Sequence, residues 1–357
     1  MNDAAIDVST RFVLDAWYVM GTVEELNAGP IVRRVLDIPM FAYRQDDGTP
    51  VVMLDRCPHR RFPMSRSTIE RDGIRCGYHG LKFAHDGRCI DVPAQQGRCG
   101  ELAIRTFEAV EHADWLWVWT GNTPSDGRLP PQAPEFEDGI PWRRRQICAH
   151  HVHARASLFQ DNLLDLSHLT FLHAGNIGGS GVEVTRPDLK VMPFGLSVRR
   201  EVLDPAMAKL PLGQAMGIDG TVVRVLEQQF YLPSLHITGS AFYEPDGNGK
   251  PGQSLGSFRV LHALTPETAT TMHYFQAYQR NFALDDLETD VVIERVLNLP
   301  IPEDVQAAEL IEAELQAAKS LEPEIHIISD VVALRGRALM QRAMERELRP
   351  TSTMADA

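Results

Sequence analysis

No stretch of this sequence approaches the ~18 consecutive apolar residues that a membrane span requires. Its first residues, MNDAAIDVSTRFVLDAWYVM, show no basic segment running into an apolar one, so neither a span nor an export signal is expected. Positive charge is also short: 35 Lys and Arg against 48 Asp and Glu give a net charge of −13. Such a chain offers no footprint for nucleic acid or an anionic membrane. An acidic small molecule is not excluded, because one buried Arg can bind a carboxylate. A GxGxxG or P-loop motif is missing, so NAD(P)H chemistry would need a second protein. Cysteines number only 5: Cys57, Cys76, Cys89, Cys99 and Cys148. An odd count without an export signal points to a reducing cytoplasm, where clustered cysteines bind metal more often than they pair.

Up to residue 120 the chain reads as short strands. FAYRQDDGTPVVMLD places turn residues between two strand-like runs, and AHDGRCIDV repeats the device. In WLWVWT, Trp115, Trp117 and Trp119 alternate onto one strand face, as core residues do. Residues 123–142, TPSDGRLPPQAPEFEDGIPW, read as a linker. Beyond it, DNLLDLSHLTFLH (161–173) is helical, 183–282 return to strands, and Pro302 to about Arg349 is helical again. Strands followed by helices predict an α+β second domain.

CPHRRFPMSRSTIERDGIRCGYHG holds Cys57-x-His59 and, further on, Cys76-x-x-His79. Two thiolates and two imidazoles can complete a zinc site, or a Rieske [2Fe–2S] cluster in which two Cys hold one iron and two His the other. The first pair is spaced more tightly than zinc pairs usually are. Pro58 fixes one loop, and Gly77 and Gly80 free the other. With its flanks CPHRR and GYHGLKF, the segment resembles the Rieske domain of ring-hydroxylating non-haem iron oxygenases. Cys89, Cys99 and Cys148 have no partners in that pattern and read as free thiols.

A cluster that only passes electrons needs a destination. His168 and His173, with Asp165, stand in an otherwise apolar segment. On an ideal helix their side chains diverge by about 140°. Both reach one ion only if the helix ends or distorts between them, near Thr170. Asp165 lies near the face of His168 and can serve it as an acceptor. Taken alone, two His in an apolar helix are more often satisfied core residues than ligands. The segment resembles, however, the iron-binding segment of terminal oxygenases of the vanillate O-demethylase and dicamba monooxygenase type, Asn-Leu-x-Asp-Leu-x-His-x-x-x-x-His. Asn162, Leu163, Asp165, Leu166, His168 and His173 match it.

That resemblance implies that His168 and His173 bind mononuclear Fe(II), with one carboxylate and positions open to O2. The carboxylate candidates are Asp285, Asp286, Asp290, Glu303, Asp304 and Asp330. The family's Glu-Asp pair opens a long helix, and a second helix follows. PEDVQAAELIEAELQ, with Asp330 and Arg337 of SDVVALRGR at nearby positions, selects Asp304. Acids in a first helical turn also complement the helix dipole without any metal. Asp165 and Asn162 become the catalytic candidates. The resemblance gives Asp165 the path from His59 or His79 of a neighbouring chain to His168, in a homotrimer.

The implied fold is α+β: an N-terminal all-β Rieske domain (1–130), then a catalytic domain (131–357) of antiparallel sheet and helices, helix-grip-like. The implied function is a terminal oxygenase that takes electrons from a separate NAD(P)H-dependent reductase carrying flavin or ferredoxin. It would use O2 to oxidise a small aromatic substrate, above all removing the methyl of a methoxylated aromatic acid as formaldehyde. Hydroxylation, N-demethylation and cis-dihydroxylation are the related outcomes. The non-enzymatic alternatives are a Rieske electron carrier and a zinc-stabilised binding protein; a carrier needs far fewer residues than follow this cluster. The substrate pocket should come from 183–282. There Arg200, His236 and Tyr278 are candidates, beside Arg199 and Arg224, and each also suits a solvated strand face.

Overall fold

The computed structural model describes residues 12–131, 139–173, 185–318 and 323–348, except the side chains of Cys148 and Leu348. The proposed linker and the end of the last helix fall partly outside them. The chain divides into two compact units, one of Met1–Pro130, Thr265–Ala269 and Arg346–Ala357, the other of Pro131–Leu264 and Thr270–Glu345. No described helix is long and apolar enough to cross a membrane.

The first unit is made of short antiparallel strands. Ile38–Arg44 and Pro50–Leu54 pair across the turn at Asp46, Asp47 and Gly48, where Gly48 takes a φ of +88°. Turn residues between two apolar runs predict this hairpin. All five residues of Trp115–Trp119 are buried, so the tryptophan face is core and its opposite face is core as well. Phe41, Met53, Met64, Ile74 and Phe83 form one cluster with Cys57 and Cys76. Cys89 and Cys99 pack against that cluster. Their thiols are hydrogen-bonding neighbours, and burial pushes Cys89 up to about 12. Both are free thiols, as expected, and they donate to Asp91 O and Gly97 O respectively.

The second unit is a seven-stranded antiparallel sheet. Its order is Arg143–Val152, Met272–Arg280, Pro251–Pro266, Leu235–Pro245, Val222–Tyr231, Gly195–Asp204 and Asp188–Met192. Helices Ala156–Leu164, Leu287–Asn298, Ile301–Ala317 and Val331–Leu348 accompany it. Phe159 and Leu163 pack with Met272, Tyr274 and Ile301. Leu164 packs with Val198, Phe230 and Val332, and Ile293 and Leu297 with Phe258 and Tyr278. The fold is α+β, as the order of strands and helices predicts. Helix Leu287–Asn298 falls outside the expected helical region. Its start is set by Asp286, whose carboxylate accepts from Glu288 N at 3.0 Å.

That helix carries Asp290, which is buried. Its carboxylate accepts from Tyr278 Oη at 2.7 Å, Arg143 Nη2 at 2.6 Å and Arg280 Nη2 at 2.8 Å. Burial alone would raise its pKa; the hydrogen bonds from Arg143, Tyr278 and Arg280 outweigh burial and hold it far below the usual carboxylate range. Such a carboxylate contributes stability above its unfolded pKa of about 3.9 and loses that stability as pH falls towards the folded value. Arg280 is fully buried, so Asp290→Ala strands a charge. The expected cost is about 3–5 kcal/mol. Urea denaturation at neutral pH and below pH ~4 checks both claims, since the gap between wild type and variant should shrink in acid.

Candidate metal centres

The two motif loops of the first unit share one construction. In the first, Cys57 N donates to Phe62 O and Arg61 N donates to Cys57 O, both at 2.8 Å. In the second, Cys76 N donates to Leu81 O at 2.8 Å and Gly80 N donates to Cys76 O at 3.0 Å. Each loop closes on a left-handed residue, Arg61 at φ +59° and Gly80 at +74°. Arg75 steadies the second loop, donating to Gly80 O at 2.9 Å while its Nε holds Glu70 at 2.8 Å. The loops bring the Cys57 and Cys76 thiols into contact and the His59 and His79 rings to 4.6 Å between centroids. The thiols are buried and the imidazoles exposed. Burial pushes the Cys57 thiol up to about 11, against N–H groups of His59 and Arg60 directed at its sulfur. Two buried sulfurs with two outward nitrogens are the donor set of a Rieske cluster, with its histidine edge at the surface.

In the second unit, helix Ala156–Leu164 stops at Asp165, whose backbone is extended (φ −110°, ψ 103°). The Asp165 carboxylate accepts from Ser167 N at 2.8 Å and Ser167 Oγ at 2.9 Å. This caps a 3-10 turn, Leu166–Thr170. The segment therefore breaks twice, after Thr170 as its spacing requires and also at Asp165. The His168 and His173 rings come to 5.2 Å between centroids.

Both Nδ1 atoms are tied down. His168 Nδ1 donates to Asp165 O at 2.5 Å, and His173 Nδ1 to Glu303 Oε2 at 2.6 Å. Both Nε2 atoms face Asp304 Oδ1, at 3.6 Å and 3.1 Å respectively. Ligand atoms of His168, His173 and Asp304 lie within 4.8 Å of one another, the one such trio among the described residues. The environment suits a cation. Burial lowers the pKa of His168, which favours the neutral imidazole that ligates a metal. Around His173, hydrogen bonds to Asp304 and Glu303 outweigh burial and raise its pKa. Asn162 Nδ2 donates to Asp304 Oδ1 at 2.8 Å, while Asn162 Oδ1 is buried without a partner. Of the other carboxylates, Asp286 caps a helix, Asp290 serves two arginines, and Asp330 accepts from Ile327 N.

Two families match this chain. The Rieske [2Fe-2S] domain covers residues 16–108 and the vanillate O-demethylase oxygenase C-terminal domain covers 152–346. The chain belongs to the vanillate O-demethylase oxygenase family. The oxygenase is 33 % identical to the dicamba O-demethylase oxygenase component of Stenotrophomonas maltophilia, over 79 % of this chain and 82 % of that one. It is 31 % identical to a putative toluene-4-sulfonate monooxygenase iron-sulfur subunit of Comamonas testosteroni, over 94 % and 98 %. Dicamba monooxygenase bound to 3,6-dichlorosalicylic acid superposes with a TM-score of 0.82 at 29 % identity, covering 94 % of this chain and 99 % of that one. The same enzyme with non-haem iron and dicamba gives 0.76 at 28 %, covering 94 % and 98 %. The oxygenase is an oxidoreductase with two cofactors, a Rieske [2Fe–2S] cluster and a mononuclear iron. The carrier and zinc-protein alternatives fall with that finding.

A cavity of about 160 Å³ opens on the trio. It is lined by Asn162, His168, His173 and Asp304 and by apolar walls that include Leu226, Phe258, Val260 and Leu297. Arg200, His236 and Tyr278 do not line it. Arg200 is buried against Gln228 Oε1 at 2.6 Å, and Gln228 Nε2 donates to Leu163 O at 2.8 Å, so this pair holds the helix end. His236 is buried and stacks on Phe230 at 4.4 Å. Tyr278 belongs to the Asp290 cluster. Polar side chains that do line the cavity, beside Asn162 and the trio, are Arg224, Glu227, Thr238, Ser240, His262, Tyr274 and Gln276. His262 donates or accepts at Thr238 Oγ1 (2.9 Å) and Tyr274 Oη (2.7 Å), and burial pushes it down to about 3. It is a neutral group at working pH.

Proposed function

We propose that this chain is the terminal oxygenase that O-demethylates a methoxylated aromatic acid, fed by a separate NAD(P)H-dependent reductase. The observation that carries the reading is the cavity: His168, His173 and Asp304 share it with apolar walls. Its volume matches the ~150 Å³ that takes one benzene ring. The naming of two relatives as O-demethylase oxygenase components supports the same chemistry.

Cys57, His59, Cys76 and His79 would hold the cluster, and His168, His173 and Asp304 the iron. Together these groups supply one-electron delivery and activation of O2 at the substrate's methyl carbon. The protein's own residues position and protect. Asp165 O and Glu303 fix the two imidazoles by their Nδ1 atoms, leaving Nε2 for the metal. Asn162 holds Asp304 by one oxygen. The apolar walls keep bulk water from the reacting carbon. The trimer, with Asp165 facing a neighbour's His59 or His79, belongs to this reading.

With a surrogate reductase, the 2-, 3- and 4-methoxybenzoates should yield the corresponding phenol and formaldehyde from at least one isomer. Ring-hydroxylated products that keep the methoxy group would replace demethylation with hydroxylation.

A further inference from the structure

Arg224 is the one arginine or lysine among the residues lining the cavity. It stands on strand Val222–Tyr231 among Leu226, Phe258 and Phe242. Its Nε donates to Ser240 Oγ at 2.9 Å. Its Nη1 is 3.7 Å from Asp204 Oδ2, beyond the reach of a good hydrogen bond. A guanidinium has five N–H donors in a planar fork. Among the described residues its partners are Ser240, hydrogen-bonded at Nε, and Asp204, paired with Nη1. The remaining edge is shaped for two anionic oxygens side by side.

The sheet register says where that edge lies. Gln228 and Thr238 are directly paired, and so are Leu226 and Ser240, then Arg224 and Phe242. The Gln228 row sits beneath the metal-bearing segment, because Gln228 Nε2 reaches Leu163 O. Thr238 in that row reaches His262. Ser240 is the next residue on the same strand face, ~6.8 Å further along. Arg224 leans back to it. An aromatic ring laid between the two rows would have the metal trio at one end and the guanidinium at the other.

We propose that Arg224 and Ser240 form an anion subsite that holds the carboxylate or sulfonate of the substrate at the end of the cavity remote from His168, His173 and Asp304. The subsite orients the ring so that the group opposite the anion meets the trio. Asp204 is its internal competitor: it balances Arg224 before the substrate arrives and yields to the substrate's charge. The inference rests on the proposed aromatic oxygenase reading, but it is tested by binding, which needs no turnover.

The experiment is calorimetric titration of the anaerobic holoenzyme with benzoate, benzenesulfonate and benzamide. The wild type should bind one of the two anions on the order of 30-fold tighter than the neutral amide, as a desolvated charge contact allows. The better anion distinguishes carboxylate from sulfonate. R224Q should erase the preference, R224K should restore part of it, and D204N should tighten anion binding. Iron content and the Rieske spectrum should be unchanged in R224Q, so a misfolded variant is recognised. In turnover R224Q should raise KM for the anionic substrate far more than it lowers kcat. Equal binding of anion and amide by the wild type, or full anion preference in R224Q, overturns the subsite. Anion-selective binding with no formaldehyde from any methoxybenzoate keeps the subsite and overturns demethylation instead.

Discussion

Asp304→Ala is expected to purify without mononuclear iron while its Rieske spectrum stays that of the wild type. Two imidazoles alone hold Fe(II) poorly, and the third donor of a two-His–one-carboxylate site supplies the charge that balances the metal. In this chain Asp304 is also the point on which three groups converge. Asn162, His168 and His173 all face its Oδ1. Removing the carboxylate leaves Asn162 without its acceptor and both Nε2 atoms without an anion. Iron affinity should fall by on the order of 100-fold or more, and turnover with it. The cluster residues lie in the other unit, so their spectrum reports that unit's fold, and a thermal melt monitored by circular dichroism reports that of the unit carrying Asp304. Metal analysis with the EPR of the reduced protein decides it: a full complement of iron in the variant assigns the third ligand elsewhere, with Glu303 the next residue to replace.

Asp165→Asn is expected to keep both metal centres and to lose turnover by on the order of 100-fold. The structure makes Asn, rather than Ala, the informative substitution. The Asp165 carboxylate caps the turn that carries His168 through Ser167, and deleting such a cap costs about 1 kcal/mol. Ala would mix that loss of order with the loss of charge. Asn leaves an oxygen for Ser167 N, and its amide nitrogen can donate to Ser167 Oγ in place of the bond Oδ2 accepted, so the turn keeps its cap while the charge is removed. Asp165 and His168 also line a second cavity, of about 440 Å³, together with Asp161, Glu324 and Arg337. The residue thus holds the iron-side histidine by its backbone oxygen and lines a recess distinct from the apolar one. Rapid mixing of the reduced variant with O2 and substrate should show slow cluster reoxidation with unchanged iron content. Near-normal turnover with intact metals would reject a path through Asp165.

The parts of the site that were legible in the sequence are those in which chemistry-bearing residues are close along the chain. Cys57, His59, Cys76 and His79 sit on two short loops, and the hydrogen bonds that close those loops are local. His168 and His173 carried a structural requirement in their spacing, a break near Thr170. The second break, at Asp165, was hidden because an Asp inside an apolar run reads as a helical polar residue until its carboxylate is seen to cap the next turn. Asp304 needed the family pattern, since Pro302, Glu303 and Asp304 form an ordinary helix start. Glu303 is one of the carboxylate candidates in the sequence, and its contact with His173 Nδ1 fits a supporting place.

The cavity wall was less legible. Thr238, Ser240, His262 and Arg224 come from three strands, and only the sheet register brings them together. Alternation tells that Arg200 and His236 are on strands. It does not tell whether a buried face looks into a cavity or into packed core, and both turn out to pack. Two signals were available: Arg224, a candidate from its residue type that does line the cavity, and Thr238 with Ser240, two hydroxyls at a spacing of two on one strand. Cys89 and Cys99 are free thiols, as the sequence suggests, but their proximity was hidden for a related reason. The backbone link from Cys89 N to Leu102 O and from Leu102 N to Cys99 O joins them across a loop whose sequence carries no pairing pattern.

The most direct test of the proposed reaction is the amount of formaldehyde formed per O2 consumed by the holoenzyme with its best methoxybenzoate. An O-demethylating oxygenase should give a ratio near one, with the phenol in equal amount. Oxygen consumption with a product that retains its methoxy carbon would contradict it.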